Sequence, residues 1–166
     1  MLIDTHAHLQ FQAYKDNQSE VINRCRERKM IVNIVGTQTS TSRAAVALAE
    51  QEEWLYATIG THPIHLHSTN VDEEETVFQS REEEFDTSCY EELVRSPKVI
   101  AIGECGLDLF HLPTKFTKEE VLIKQKMVFL QHLAFALRHN LPLVIHCRDA
   151  HTELIDLLRD QSVLPS

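Results

Sequence analysis

The stretch VIAIGEC at residues 99–105 decides how the chain is read. It is a short apolar run that ends on a carboxylate, Glu104, with Gly103 and Gly106 on either side allowing close approach to the backbone. Four more such runs lie outward from it: MLIDTHAH at 1–8, MIVNIVG at 30–36, LYATIGTHP at 55–63 and LPLVIHC at 141–147. Helical patterns fill the gaps. NQSEVINRCRERK precedes the second run, and STSRAAVALAEQEE precedes the third with Ser and Thr available as caps. Residues 117–140 open with a capping box, Thr117 to Glu120, and carry a stripe of Ile123, Met127, Leu130, Ala134 and Leu137 that is expected to pack into the core. A last helix, AHTELIDLLRD, follows the fifth run.

Strict alternation of strand and helix predicts parallel strands covered by helices, either as an open doubly wound sheet or as a barrel of repeated units. No GxGxxG or GxxxxGK[ST] follows any run, which removes the usual phosphate-cradling reason for an open sheet. The reactive residues also fall at the ends of the runs: His6 and His8 at the first, His62 at the third, Glu104 at the fourth and His146 at the fifth. Barrel enzymes gather their chemistry at the C-terminal ends of several strands, because those ends open onto one rim. The expectation is therefore an α/β barrel.

Residues two apart on a strand share a face, so Leu2, Asp4, His6 and His8 are expected on one side, with the two imidazoles forming a bite for a divalent cation. An isolated HxH reads equally well as two hydrogen-bonded histidines, and it is the other strand-end residues that favour the metal. Two histidines, a carboxylate and a third histidine make a mixed nitrogen and oxygen set suited to one or two ions of zinc, manganese or magnesium. Glu104, with two oxygens, can bridge two ions that share a hydroxide and clamp the attacking and leaving oxygens of a hydrolysis. Its alternative is a carboxylate in a structural salt bridge. His62, beside Pro63 on the same rim, is expected to contact substrate. Arg148 either holds a phosphate or carboxylate in a fork or forms an ion pair with Asp149 or Asp108. His65, His67, His111, His132, His139 and His151 read as surface or packing residues.

At 166 residues and 43% hydrophobic, the chain suits one domain. No apolar run reaches the roughly 18–20 residues of a membrane span, and Asp4 comes too early for a secretory signal, so a soluble cytoplasmic or nuclear protein is expected. Cys25, Cys89, Cys105 and Cys147 are widely spaced, with no CxxC pair, and read as reduced thiols. The net charge of −9 is local: residues 72–92 hold ten acidic residues against one basic, and the remainder is neutral. That stretch reads as a solvated surface helix or an insertion, with a partner-binding role as the alternative. The balance argues against capture of duplex DNA by a broad basic surface.

DTHAH, GTHP, AIGECGLD and PLVIHCRDAH together, in order along residues 1–166, resemble the TatD family of metal-dependent hydrolases. The resemblance implies a TIM-barrel domain, one or two divalent ions at its C-terminal rim, and hydrolysis of phosphodiester bonds in DNA, single-stranded or at its ends. It makes His6, His8, Glu104 and His146 metal ligands with Glu104 catalytic and bridging, and puts His62 and Arg148 near the substrate. Two features depart from the family: Leu109 and Phe110 follow the Gly-Leu-Asp, and the acidic stretch is longer than the usual connection. The family's barrel also has three further strand–helix units, which supply another histidine and an aspartate to the metals; the expectation here is a barrel of about five units, read as a shortened product, a fragment, or a chain completed by another copy. Its open edges would then be available for self-association, one ion would be held by His6, His8 and Glu104, and the second, left with Glu104 and His146, would bind weakly. Three functions stay open on this reading: the nuclease, hydrolysis of an ester such as an aminoacyl-tRNA bond, and a non-catalytic product acting through protein contacts.

Overall fold

A computed structural model describes residues 2–68, 70–73, 76–79 and 82–160, the two four-residue segments by backbone alone. The elements, in chain order, are β1 (Leu2–Ala7), α1 (Gln18–Glu27), β2 (Met30–Val35), α2 (Thr39–Ala49), β3 (Leu55–Ile59), β4 (Asn70–Glu73), β5 (Thr76–Gln79), α3 (Thr87–Leu93), β6 (Val99–Asp108), α4 (Lys118–His139), β7 (Leu143–Arg148) and α5 (His151–Arg159). All five predicted strands form, pair in parallel, and lie in the order β1-β2-β3-β6-β7. A doubly wound sheet reverses its strand order at a switch point. This sheet keeps chain order throughout, so it is an incomplete, curled half-barrel.

The middle strands are buried almost continuously, as parallel strands covered by helices should be. Ile34, Leu55, Ile59 and Phe135 lie in one core cluster, and Leu107, Phe129, Leu154 and Leu157 form a second between β6, α4 and α5. The outer strands are different. Leu2 and Ile3 in β1 and Ile145 in β7 are exposed, and among the described residues no strand pairs with the outer edge of either strand.

The stripe expected in the core of α4 is not there: Ile123 is 69% and Met127 55% exposed, Ala134 and Leu137 also face outward, and only Leu130 packs against a core cluster. The buried face is instead Val121, Gln125, Val128, Phe129, His132, Leu133, Phe135 and Ala136. This face contains a glutamine and a histidine, which an apolar pattern skips, and both are buried because they are bonded. Gln125 bonds the backbone of Asp108, while Nε2 of His132 accepts from Thr61 N–H at 3.0 Å and its Nδ1 lies 2.8 Å from the carbonyl of Val128. The capping box forms as predicted, with Thr117 Oγ1 accepting from Glu120 N–H at 3.2 Å and Glu120 accepting from Thr117 N–H at 2.8 Å.

Of the acidic stretch 72–92, residues 74, 75, 80 and 81 lie outside the described residues. The rest includes an antiparallel pair, β4 with β5, and the short helix α3, whose N-cap Asp86 accepts from Ser88 N–H at 2.9 Å. Several acidic side chains here are engaged: Glu82 with Lys124 at 2.6 Å, Glu92 with Arg43 at 2.9 Å, Glu91 with Arg138, and Glu83 with the backbone N–H of Thr39 at 2.6 Å.

Candidate metal centre

The C-terminal halves of β1, β6 and β7 meet at Glu104. Its Oε2 lies 3.3 Å from Nε2 of His6, and its Oε1 lies 3.3 Å from Nδ1 of His146 and 3.8 Å from Nε2 of His62. His8 joins His6 and Glu104 in one group of mutually close ligand atoms, while His62, Glu104 and His146 form a second. The five histidine and glutamate residues predicted for the rim are therefore together, with Glu104 common to both groups.

Two glycines make this convergence feasible. Gly103 and Gly106 have φ of +144° and +146°, a region that L side chains rarely adopt. A Cβ on Gly103 would sit 2.4 Å from the carbonyl oxygen of Val144, and one on Gly106 would sit 1.9 Å from that of His146. The bare backbone on both sides of Glu104 thus lets β6 lie close against the strand that carries His146. Glu104 itself is anchored by its N–H, which donates to the carbonyl of Gly36 at 3.1 Å.

Hydrogen bonds select which nitrogen each ring offers. His8 Nδ1 lies 2.8 Å from the carbonyl of Val35, so it carries the proton and leaves the Nε2 lone pair for a cation, as metal-binding histidines commonly do. His62 is the reverse. Its Nδ1 accepts the N–H of Ile64 at 3.1 Å in the turn that begins at Pro63, so the proton of the neutral ring sits on Nε2, the atom facing Glu104. Burial pushes its pKa down to about 3, against the pull of Glu104, which keeps the ring neutral. His62 is thus a neutral donor at the rim rather than a ready ligand.

The remaining charges are strongly coupled. Burial alone would raise the Glu104 pKa, but hydrogen bonds from His146 and His6 and the nearby imidazoles outweigh it and hold the carboxyl well below its usual range. His146 is buried too, yet its bonds to Asp108 and Glu104 lift it to about 9, and the bond to Glu104 raises His6. A protonated His146 satisfies this arrangement, and so would a divalent cation between the Glu104 oxygens and the Nδ1 lone pair. His6, His8, Glu104 and His146 therefore fit a divalent metal in donor type, proximity and charge.

Sequence reasoning passed over Asp108 except as a partner for Arg148, and passed over His111 and Gln125 at the site. Asp108 Oδ2 lies 3.0 Å from His146 Nε2 and 2.9 Å from His111 Nδ1. A period-two count could have found it, because residues 104, 106 and 108 share a face of β6. The structure places the Arg148 guanidinium over the ring of Phe110, 3.8 Å from its centroid, an alternative the sequence did not suggest. His65, His67 and His132 are buried packing residues.

The family model for the TatD related DNases matches residues 3–165. The chain belongs to that family. It is 35% identical over 162 residues to the uncharacterized metal-dependent hydrolase YabD of Bacillus subtilis, covering 97% of this chain and 56% of that protein. It is 33% identical over 162 residues to the 3'-5' ssDNA/RNA exonuclease TatD of Yersinia pseudotuberculosis, covering 95% and 54%. The crystal structure of YJJV, a TatD homolog from Escherichia coli, superposes with a TM-score of 0.70 at 27% identity, covering 95% of this chain and 55% of that one. The resemblance read from four motifs is borne out, as is the TIM-barrel type of fold. The chain spans about half the length of these relatives. Among the described residues, no helix is long and apolar enough to cross a membrane.

Proposed function

We propose that the chain belongs to a nuclease that hydrolyses phosphodiester bonds of single-stranded DNA or RNA from an end, using divalent metal held at Glu104. One observation carries this reading: both oxygens of a buried, ionised carboxylate face imidazole nitrogens of His6, His62 and His146 at 3.3–3.8 Å. Relatives that match nearly the whole chain and are named ssDNA/RNA exonucleases support the substrate class.

In this reading His6, His8 and Glu104 hold one ion, and Glu104 with His146 contributes to a second. Bound metal supplies acidity to a water and neutralises phosphoryl charge. Glu104 keeps its negative charge at neutral pH because its neighbours stabilise the ionised form. His62 presents an Nε2–H to an oxygen of the phosphodiester without bringing a charge, and Arg148, stacked on Phe110, presents its fork to a second phosphate oxygen.

The test is nucleotide release from end-labelled single-stranded DNA and RNA by the purified chain, with manganese or magnesium added. Release that is abolished both by chelator and by Glu104→Ala supports the reading. No release at any metal concentration refutes it for this chain and favours a role through protein contacts.

A further inference from the structure

Asp108 is 1% exposed, and its carboxylate is fully committed. Oδ1 accepts the backbone N–H groups of Phe110 and His111 at 2.9 and 2.8 Å. Oδ2 lies between two rings, 3.0 Å from His146 Nε2 and 2.9 Å from His111 Nδ1. The backbone of the same residue is clamped from α4: Gln125 Oε1 accepts Asp108 N–H at 3.0 Å, and Gln125 Nε2 donates to Asp108 C=O at 2.8 Å. The glutamine is 2% exposed and makes both bonds from within the helix–sheet interface. A row therefore runs from α4 through Asp108 to His146 and on to Glu104, where His146 Nδ1 faces Oε1 at 3.3 Å.

We infer that Asp108, held by Gln125, is a positioning residue for His146: its carboxylate takes the Nε2–H and so presents the Nδ1 lone pair to a cation beside Glu104. This rests on the metal reading proposed above. The reasoning is about proton placement. A neutral imidazole has one N–H and one lone pair, and the carboxylates on its two sides, Asp108 and Glu104, can only accept; with a cation at Glu104 the nitrogen on that side must give its lone pair, so the N–H goes to Nε2, 3.0 Å from Asp108. The lone pair is then on Nδ1, on the side of Glu104. Carboxylates that hold a metal-binding histidine in this way orient the ring and raise its basicity, and removing them typically weakens metal binding by roughly 10- to 100-fold.

Asp108→Asn gives a near-isosteric test. Its oxygen must stay on the two backbone N–H groups that Oδ1 accepts now, so its NH2 replaces Oδ2 and becomes a donor toward His146 Nε2. The proton of the neutral ring then moves to Nδ1 and blocks the ligand atom. Long-range 1H–15N correlation spectra of histidine-labelled protein report which ring nitrogen is protonated, and titration with Zn2+ reports affinity. In the zinc-loaded wild type, His146 should keep its proton on Nε2 with Nδ1 as the ligand. In D108N, zinc should bind at His146 roughly 10- to 100-fold more weakly, and the metal-free neutral ring should carry Nδ1–H. The zinc-loaded wild-type spectrum needs no variant to fold, and finding Nε2 as the ligand there overturns the inference. So does wild-type affinity in D108N with His146 still protonated on Nε2. Absence of zinc uptake by the wild type overturns the metal reading together with this one.

Discussion

Replacing Gly106 with alanine adds one methyl group where two strands meet. The new Cβ would lie 1.9 Å from the carbonyl oxygen of His146 and 2.9 Å from its carbonyl carbon, while real Cβ atoms essentially never approach within 3.0 Å of such atoms. To relieve this, β6 and β7 must part locally by about 1 Å, at the position where Gly106 pairs with His146 in the ladder. Two costs add. Holding a non-glycine residue at φ of +146° costs about 1–3 kcal/mol, and forcing backbone apart in a packed interior costs about 1–3 kcal/mol more. The expected loss is therefore about 2–6 kcal/mol, a large fraction of the stability of a small domain. Urea unfolding of Gly106→Ala followed by circular dichroism measures it, with the exposed Glu119→Ala as a control expected to stay within about 0.5 kcal/mol. A G106A midpoint equivalent to less than about 1 kcal/mol of loss would refute the argument that strand contact at Gly106 is what sets the position of His146.

Acid should weaken the fold through His132, which burial holds at a pKa of about 4 in the folded chain against 6.5 unfolded. Because the folded value is the lower one, its stabilising contribution is complete above pH 6.5 and is lost as pH falls toward 4, by roughly 2 kcal/mol between pH 7.5 and 5. His146 is shifted the other way and gains stability on the same descent, so the test is a comparison: His132→Gln should lose less stability than wild type between the two pH values, and an equal loss contradicts the assignment. Thr117→Ala removes the acceptor for Glu120 N–H at the start of α4 and should cost about 1 kcal/mol in thermal or urea unfolding; no change means the cap carries no weight.

The strands were legible because each is a short apolar run, four of the five ending on a reactive residue, and the barrel was legible because those residues stood at run ends rather than behind a phosphate loop. Element limits shifted where local chemistry intervened. The third strand stops at Ile59 because His62 and Pro63 start a turn, and β6 runs on to Asp108, where Gln125 holds its backbone. The exposed stripe of α4 was misread because helical periodicity cannot choose between two apolar faces when the buried one includes Gln125 and His132. Glu104, His6, His8, His62 and His146 could be picked out from motifs, whereas the protons on their rings could not. Those depend on Val35, Ile64 and Asp108, residues 27, 2 and 38 positions away from the rings they set.

The turn at Pro63 has an electrical consequence. By occupying Nδ1 of His62 with a main-chain N–H, it fixes the ring proton on Nε2, and burial keeps that imidazole uncharged across the whole neutral range, whereas His146, with ring centroids 4.2 Å apart, answers to pH near 9. Adjacent copies of one amino acid thus become a constant dipole and a variable charge: burial and a main-chain bend set the first, and the carboxylates of Asp108 and Glu104 set the second.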